Sequence, residues 1–365
     1  MKKVLVMVNR DFVLYNFRIE LVEELLKENY EVYICLPYGE KVELMTKMGC
    51  KFVPVTIDKR GTNPLKDIKL IREYKRILQE VKPDMLLTYT TKVNIYAGIL
   101  AGRMKIPYLM NISGLGTAVE YKNPLQGFMI FMYRMAAKNA RCLFFQNTEN
   151  LRFFQEHNMY QGIWKLLPGS GVNVERFYMM QYPGETEGIH FLFIARVIKE
   201  KGIEEYLAAA RVIKEEYPNT FFHVLGPCDG GYGDILKEYE KQGIIQYHGM
   251  IQDTREFLAK SHCTIHPSYY PEGMSNVCLE SAACGRPVIT TDRSGCRETV
   301  EDGVTGYIFP QKDRAALIDR VRTFLKLSWE EKRQMGLAGR RKMEQEFDRR
   351  IVVEEYGKMI EGGEG

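Results

Sequence analysis

Pro271-Glu272-Gly273-Met274-Ser275-Asn276-Val277-Cys278-Leu279-Glu280 follows a short apolar run, Cys263-Thr264-Ile265-His266-Pro267-Ser268, and precedes another, Pro287-Val288-Ile289-Thr290-Thr291. The order is strand, Pro/Gly-bearing loop, helix start, strand. At a helix start the first backbone N–H groups have no intrahelical partner and the dipole favours negative charge, so the junction is a ready anion site. Two glutamates, Glu272 and Glu280, flank it. On a single helix their Cα atoms would lie roughly 12 Å apart, too far for the close carboxylate pair of a retaining glycosidase at about 5 Å. A split with Glu272 in the loop and Glu280 inside the helix fits better. Carboxylates do not bind phosphate but do suit hydroxyls. The expected ligand is therefore a phosphate with sugars on both sides. Glu280 would accept from a ribose and Glu272 from a transferred sugar, with the N–H groups of Gly273, Met274, Ser275, Asn276 and Val277 facing the phosphates.

Outward from this stretch, strand-like and helix-like runs alternate. In the first half, apolar runs at 4–8, 31–36, 52–57, 85–89, 108–112 and 142–145 are separated by helical patterns such as 14–28, 65–81 and 124–139. The polar run 181–188 interrupts the pattern, which then restarts with strands at 191–195, 221–225, 244–248, 263–266 and 288–291. Helices 202–217, 233–241, 254–261 and 276–284 fill the gaps, and a charged helical tail begins at Asp313. Short buried strands between longer helices indicate parallel sheets covered on both faces. The expected fold class is α/β with two Rossmann-like domains, 1–181 and 182–345, and a last helix, 346–365, returning to the first domain. Ligands of such sheets bind beyond the carboxyl ends of the strands, which would set the sites facing an interdomain cleft.

The bulk numbers agree with a folded chain: 365 residues, 45% hydrophobic, 27% charged. Residues 1–180 carry 26 Lys and Arg against 17 Asp and Glu, a balance of +9, whereas 181–365 carry −5. A basic first half suits an acidic partner or an anionic membrane surface. Nucleic acid is not expected, because the basic residues lack the interleaved aromatics of a base-stacking surface. The eight cysteines form no C-x-x-C pair and several lie in apolar runs, which suits reduced core cysteines in the cytoplasm. The apolar core at 4–8 is too short for a signal peptide. No run reaches the ~18 apolar residues of a membrane span.

After the run 191–195 comes Arg196-Val197-Ile198-Lys199-Glu200-Lys201-Gly202. Arg196 offers a planar fork to phosphate oxygens and Lys201 a compact point charge. Together they could neutralise a diphosphate leaving group. No two aspartates are spaced D-x-D, so the usual acidic clamp for a divalent metal is missing. No metal and no cofactor are expected, with the two cations and the helix start supplying the positive charge.

These residues carry a resemblance. The Glu272-x7-Glu280 segment, Ala283-Cys284-Gly285-Arg286-Pro287-Val288-Ile289, Glu301-Asp302-Gly303-Val304-Thr305-Gly306-Tyr307, Arg196-x4-Lys201-Gly202 and Pro168-Gly169-Ser170-Gly171-Val172-Asn173 resemble the retaining glycosyltransferases of family four, with the GT-B fold. Thr90-Thr91-Lys92 and Ser113-Gly114-Leu115-Gly116 are similar to the branch that builds surface polysaccharides and lipid-linked oligosaccharides with N-acetylhexosamines. The resemblance implies that Arg196 and Lys201 hold the nucleotide diphosphate, Glu272 the donor sugar and Glu280 the ribose. Met250 and Ile251 would lie near the base. It implies a UDP-sugar donor, a hydroxyl acceptor on a lipid-diphosphate-linked or polysaccharide chain, and retention of stereochemistry. On the acceptor side, Asn16, Lys92, Ser113 and Gly114 are the candidates. The loop from Asn9 to Asn16 lacks the family's Gly-Gly pair, and no histidine precedes His157.

A Met- and aromatic-rich stretch, 126–138, and a basic row of Lys59, Arg60, Lys66, Lys69, Arg72, Lys75 and Arg76 together suit peripheral contact with an anionic membrane, at its inner face. Two other readings fit the sequence: a UDP-sugar 2-epimerase, and an inactive sugar-nucleotide-binding partner in polysaccharide assembly.

Overall fold

In the computed structural model of the protein, residues 1–57, 64–115, 123–228 and 231–362 are described. The basic Lys59 and Arg60, and Gly116, lie outside them. The chain divides into two compact units, Met1–Gly171 with Arg349–Gly365, and Val172–Asp348.

The first unit carries strands β1 (Lys3–Met7), β2 (Glu31–Leu36), β3 (Lys51–Pro54), β4 (Met85–Tyr89), β5 (Tyr108–Ile112), β6 (Cys142–Phe145) and β7 (Trp164–Leu166). Its helices are α1 (Asp11–Lys27), α2 (Val42–Lys47), α3 (Pro64–Val81), α4 (Thr91–Met104), α5 (Pro124–Ala137) and α6 (Thr148–Glu156). Among the described residues the seven strands form one sheet in the order β3-β2-β1-β4-β5-β6-β7, with every pairing parallel.

The second unit carries β8 (Ile189–Ile194), α7 (Ile203–Glu216), β9 (Thr220–Leu225), α8 (Gly233–Lys241), β10 (Gln246–Tyr247), α9 (Arg255–Lys260), β11 (Cys263–His266), α10 (Asn276–Ala283), β12 (Val288–Thr291), β13 (Gly306–Phe309), α11 (Arg314–Lys326) and α12 (Trp329–Glu346). Its sheet runs β10-β9-β8-β11-β12-β13, again parallel. A last helix, α13 (Arg349–Glu361), belongs to the first unit.

Alternation along each strand explains the layers. In β1, Val4 and Val6 face the cluster that includes Leu14, Leu21 and Leu25 of α1 and Tyr356 of α13. Leu5 and Met7 face the cluster of α3 and α4, with Tyr74, Leu78, Val93 and Ala97. Successive side chains of a strand point to opposite faces, so a fully buried strand reads as a continuous apolar run. In the second unit Phe191 and Phe193 pack with Tyr206, Ala210 and Phe324, while Leu192 packs with Cys278 and Leu279 of α10.

The chain passes between units at Gly171–Val172, ahead of the polar run 181–188. That run lies inside the second unit, where Trp329 Nε1 donates to the Pro183 carbonyl (2.7 Å) and Lys332 pairs with Glu185 (2.6 Å). Its Pro and Gly mark irregular backbone there. At the return crossing Gly171 lies against Arg349, close enough that a Cβ would stand 2.6 Å from the Arg349 Cα, and its φ is +66°. Arg349 in turn donates to the carbonyl of Asn16 (3.0 Å) and pairs with Glu20 (2.8 Å), which fixes α13 to α1. All eight cysteines are free, and burial pushes thiols such as that of Cys50 up to about 12.

Histidines are concentrated in the second unit. His190 Nδ1 is hydrogen-bonded to His223 Nε2 (2.9 Å), and His223 Nδ1 to His248 Nε2 (3.0 Å). The His190 backbone N–H donates to His262 Nδ1 (3.0 Å). Burial lowers all four imidazoles, His223 and His262 to about 4. The unfolded chain binds these protons near pH 6.5, while in the folded chain all four are resisted below that, those of His223 and His262 until about pH 4. Their contribution to stability is therefore complete above the unfolded pKa and is lost as pH falls toward the folded one. The melting temperature is expected to drop between pH 6.5 and 4.5, with a smaller drop in His223→Gln. A flat profile for the wild type over that interval would contradict the assignment.

Candidate active site

Both sheets have a switch point, where strand order reverses and loops part to opposite faces. In the second unit it lies between β8 and β11. β8 leads through Arg196 and a 3₁₀ turn, Lys199–Lys201, into α7. β11 leads through the loop of Tyr270 and Glu272 into α10.

The two loops are bound to each other. The Tyr269 N–H donates to the Glu200 carbonyl at 3.0 Å. Gly202 opens α7 at φ +77°, and a Cβ on it would run into the Pro267 carbonyl oxygen. A side chain is excluded there both by space and by backbone conformation. Lys201, 13% exposed, forms an ion pair with Glu272, 19% exposed. Ser268 Oγ donates to the same carboxylate at 3.4 Å. The ring of Tyr270 lies under both cations, with Lys201 Nζ 5.0 Å and Arg196 Cζ 5.6 Å from its centroid.

Burial lowers the Lys201 ammonium to about 8, and the positive charge of Arg196 acts in the same sense. Below it His266 is buried, with no hydrogen-bond partner for either ring nitrogen among the described residues. Burial, then the charge of Lys201, lower that imidazole to about 3 and keep it neutral.

α10 is well specified by sequence. Ser275 is its N-cap, with Oγ accepting from the Cys278 N–H at 3.4 Å, and Gly285, at φ +75°, follows its C-cap. Glu272 lies in the loop and Glu280 four residues beyond Asn276, which begins the helix. The expected row of amides from Gly273 to Val277 is interrupted at Ser275, whose N–H donates to the Gly295 carbonyl at 2.7 Å. The Met274 side chain is buried in the core. Asn276 and Val277 are the first two residues of α10, so their N–H groups are the ones a helix leaves without an internal partner.

Met250, 64% exposed, and Ile251 follow β10, at the edge of the sheet and two strands from β8. The remaining four lie in the first unit. Asn16 is in α1. Lys92, at the start of α4, is paired with Asp67 at 2.8 Å, and Tyr96 OH donates to the same carboxylate at 2.9 Å. Ser113 and Gly114 follow β5 directly, with Gly114 at φ +149°.

Sequence reasoning missed Tyr270 and the loop around Gly295. The Tyr269-Tyr270 pair just ahead of Pro271 was a usable signal, since an aromatic between two cations needs only proximity. Gly295 had none: it acts through its carbonyl, on a loop held by Glu298, which accepts from the Gly295 N–H at 2.6 Å.

Residues 177–342 match the family described as glycosyl transferases group 1, and residues 3–147 match the glycosyl transferase 4-like family. The chain belongs to these glycosyltransferases and has their GT-B fold. It is 24% identical to N,N'-diacetylbacillosaminyl-diphospho-undecaprenol alpha-1,3-N-acetylgalactosaminyltransferase of Campylobacter jejuni, covering 95% of each chain. It is 23% identical to the capsular polysaccharide biosynthesis glycosyltransferase CapM of Staphylococcus aureus, over 93% of this chain and 91% of that one. In structure it is similar to Anabaena Alr3699/HepE in complex with UDP and glucose (TM-score 0.80, 15% identity, 99% of this chain and 100% of that one). Alignment with WaaG, a glycosyltransferase involved in lipopolysaccharide biosynthesis, gives a TM-score of 0.73 at 17% identity, over 99% of this chain and 100% of WaaG.

The Lys201–Glu272 pair gives a stability test. Removing Glu272 leaves a largely buried ammonium without its partner. Glu272→Ala is expected to cost about 1–3 kcal/mol, read as a lower urea midpoint, and Lys201→Met in the same background should recover part of it. A single variant with the wild-type midpoint would contradict the pairing.

Proposed function

We propose that the protein transfers a hexose or N-acetylhexosamine from a UDP-sugar to a hydroxyl of a lipid-diphosphate-linked or polysaccharide acceptor, with retention and without a metal ion. The observation that carries this is the convergence of Arg196, Lys201, Glu272 and the start of α10 at the switch point of the second sheet. Arg196 and Lys201 are the cations for the diphosphate, and the Asn276 and Val277 amides face it from the other side. Glu280 holds the ribose. Glu272 holds hydroxyls of the transferred sugar, and Met250 and Ile251 border the base.

Lys201 and Glu272 are bound to each other before the donor arrives. A diphosphate that claims the ammonium frees the carboxylate for the sugar, so one exchange readies both groups. The bond from C1 to the phosphate oxygen then breaks and a bond to the acceptor oxygen forms on the same face. The departing phosphate takes the acceptor proton, and Arg196 and Lys201 stabilise the charge that develops. The UDP in the Anabaena structure, and the diphospho-undecaprenol acceptor in the name of the Campylobacter relative, support the donor and acceptor classes.

The site's own chemistry makes affinity depend on pH. Burial lowers the Lys201 ammonium to about 8, and a bound diphosphate raises it. Binding therefore takes up a proton above pH 8, and UDP affinity falls there by up to about tenfold per pH unit while staying flat below. Calorimetry at pH 9 in two buffers of different ionisation enthalpy should show the uptake. Lys201→Arg should abolish it. Lys201→Ala should mainly lower turnover and Glu280→Ala mainly weaken donor binding. Neither variant having any effect would refute the roles.

The acceptor's lipid supports a docking surface on the first unit. No described helix is long and apolar enough to cross a membrane. α5 opens with Asn123 as N-cap and Pro124 in its first turn, yet no residue from 123 to 132 is buried. Leu125, Phe128 and Phe131 are 50%, 56% and 54% exposed. On α3, Leu65 and Ile68 are exposed beside the exposed Lys66, Lys69, Arg72 and Lys75. Apolar side chains flanked by cations suit an anionic bilayer, at its inner face. Flotation with vesicles containing phosphatidylglycerol is expected at low salt and is lost in Phe128→Ser/Phe131→Ser. Wild-type protein that stays with the soluble fraction would contradict the docking.

A further inference from the structure

Arg18 stands in the stripe of α1 that faces the sheet, between Leu14 and Leu21, and is 4% exposed. Its Nη1 donates to the Phe17 carbonyl at 2.6 Å, and Nε has no partner. Among the described residues no carboxylate is within ion-pair distance of it. A guanidinium does not lose its proton in a protein, and a buried charge without a counter-charge is strongly unfavourable.

Helix side chains lean toward the helix N-terminus, so Arg18 reaches toward the carboxyl end of β1. Its Cζ lies 5.2 Å from the centroid of Tyr89, the last residue of β4. β1 and β4 pair with Met7 opposite Thr88, and two residues further along each lie Asn9 and Thr90. This is the switch point of the first sheet. Asn9 Oδ1 and Thr90 Oγ1 are buried there without a hydrogen-bond partner among the described residues, while the Tyr89 hydroxyl is near enough to Arg18 and Tyr356 to interact with both. Thr90 holds φ at +73°, which a β-branched residue adopts only under constraint. Buried polar atoms in folded proteins are nearly always bonded. Here three are open at one place, Asn9 Oδ1, Arg18 Nε and Thr90 Oγ1, supplied by three separate segments.

We infer that Asn9, Arg18, Tyr89 and Thr90 form a second anion site and that its ligand is a phosphate group of the acceptor, an assignment that rests on the proposed transfer to a diphosphate-linked acceptor. Arg18 supplies the charge, the Tyr89 and Thr90 hydroxyls donate to phosphate oxygens, and Asn9 Oδ1 accepts from a hydroxyl of the adjoining sugar.

The full-length protein is first saturated with UDP, which occupies the site of the second unit. Inorganic pyrophosphate and a short-chain prenyl diphosphate are then titrated separately and followed by calorimetry and melting temperature. Both should bind alongside UDP, the prenyl diphosphate more tightly. Arg18→Met should weaken both by at least tenfold, leave UDP affinity unchanged, and leave the unliganded melting temperature unchanged or raised, because an apolar side chain replaces an unpaired charge. Tyr89→Phe should weaken them several-fold without unfolding the protein. Unaltered diphosphate binding in Arg18→Met, or a lowered melting temperature with binding retained, would overturn the site. Equal affinity for the two probes would overturn its assignment to a lipid-linked acceptor. Failure of UDP itself to bind would count against the reading of the second unit.

Discussion

The turn from Arg196 to Gly202 can lie against the end of β11 only because residue 202 carries no side chain. Its Cβ would occupy the position of the Pro267 carbonyl oxygen. That close approach brings Lys201 to Glu272 and sets Arg196 and Lys201 over Tyr270, in the loops that lead into α7 and α10. Each part is ordinary by itself. The site is a consequence of two neighbouring parallel strands releasing their loops on opposite sides of one gap, with a glycine narrowing it.

The same topology produces a different result in the first unit. There β1 and β4 release their loops at an equivalent gap, but among the described residues no carboxylate meets the buried cation. In the second unit Lys201 is paired and Arg196 lies on an aromatic face. In the first, Arg18 lies on the ring of Tyr89 and has no ionic partner among the described residues. One fold thus presents a matched charge set and an unmatched one. In the proposed function the matched set is opened by its ligand, while the unmatched one gains its counter-charge when a ligand arrives.

Much of this was legible in the sequence because parallel strands are apolar on both faces and sit between helices of distinct period. The runs at β1, β2, β4, β5, β6, β8, β9, β11 and β12 could be read that way. β7 and β13 could not: Trp164–Leu166 is three residues at a sheet edge, and Gly306–Phe309 opens on a glycine pressed against Val288. α4 also escaped notice, since it is buried on much of its surface and carries Gly98 and Gly102 against α5 and Asn139. The placement of Arg196, Lys201 and Glu272 in the stretches after strands, and of Glu280 inside α10, was readable from residue type and position. The Lys201–Glu272 pairing, the loss of the Ser275 amide to Gly295 and the orphaned His266 were not, because each depends on which loop lies opposite. The Lys92–Asp67 pair is similar: the sequence shows a lysine after β4, and only the packing of α3 beside α4 shows what it meets.

In the proposed donor complex a nucleotide diphosphate displaces Glu272 from Lys201. A crystal structure with UDP measures this directly. The expected result is the diphosphate in contact with Arg196, Lys201 and the amides of Asn276 and Val277, with the Lys201–Glu272 ion pair broken. UDP bound elsewhere, or bound there with that pair still closed, would contradict it.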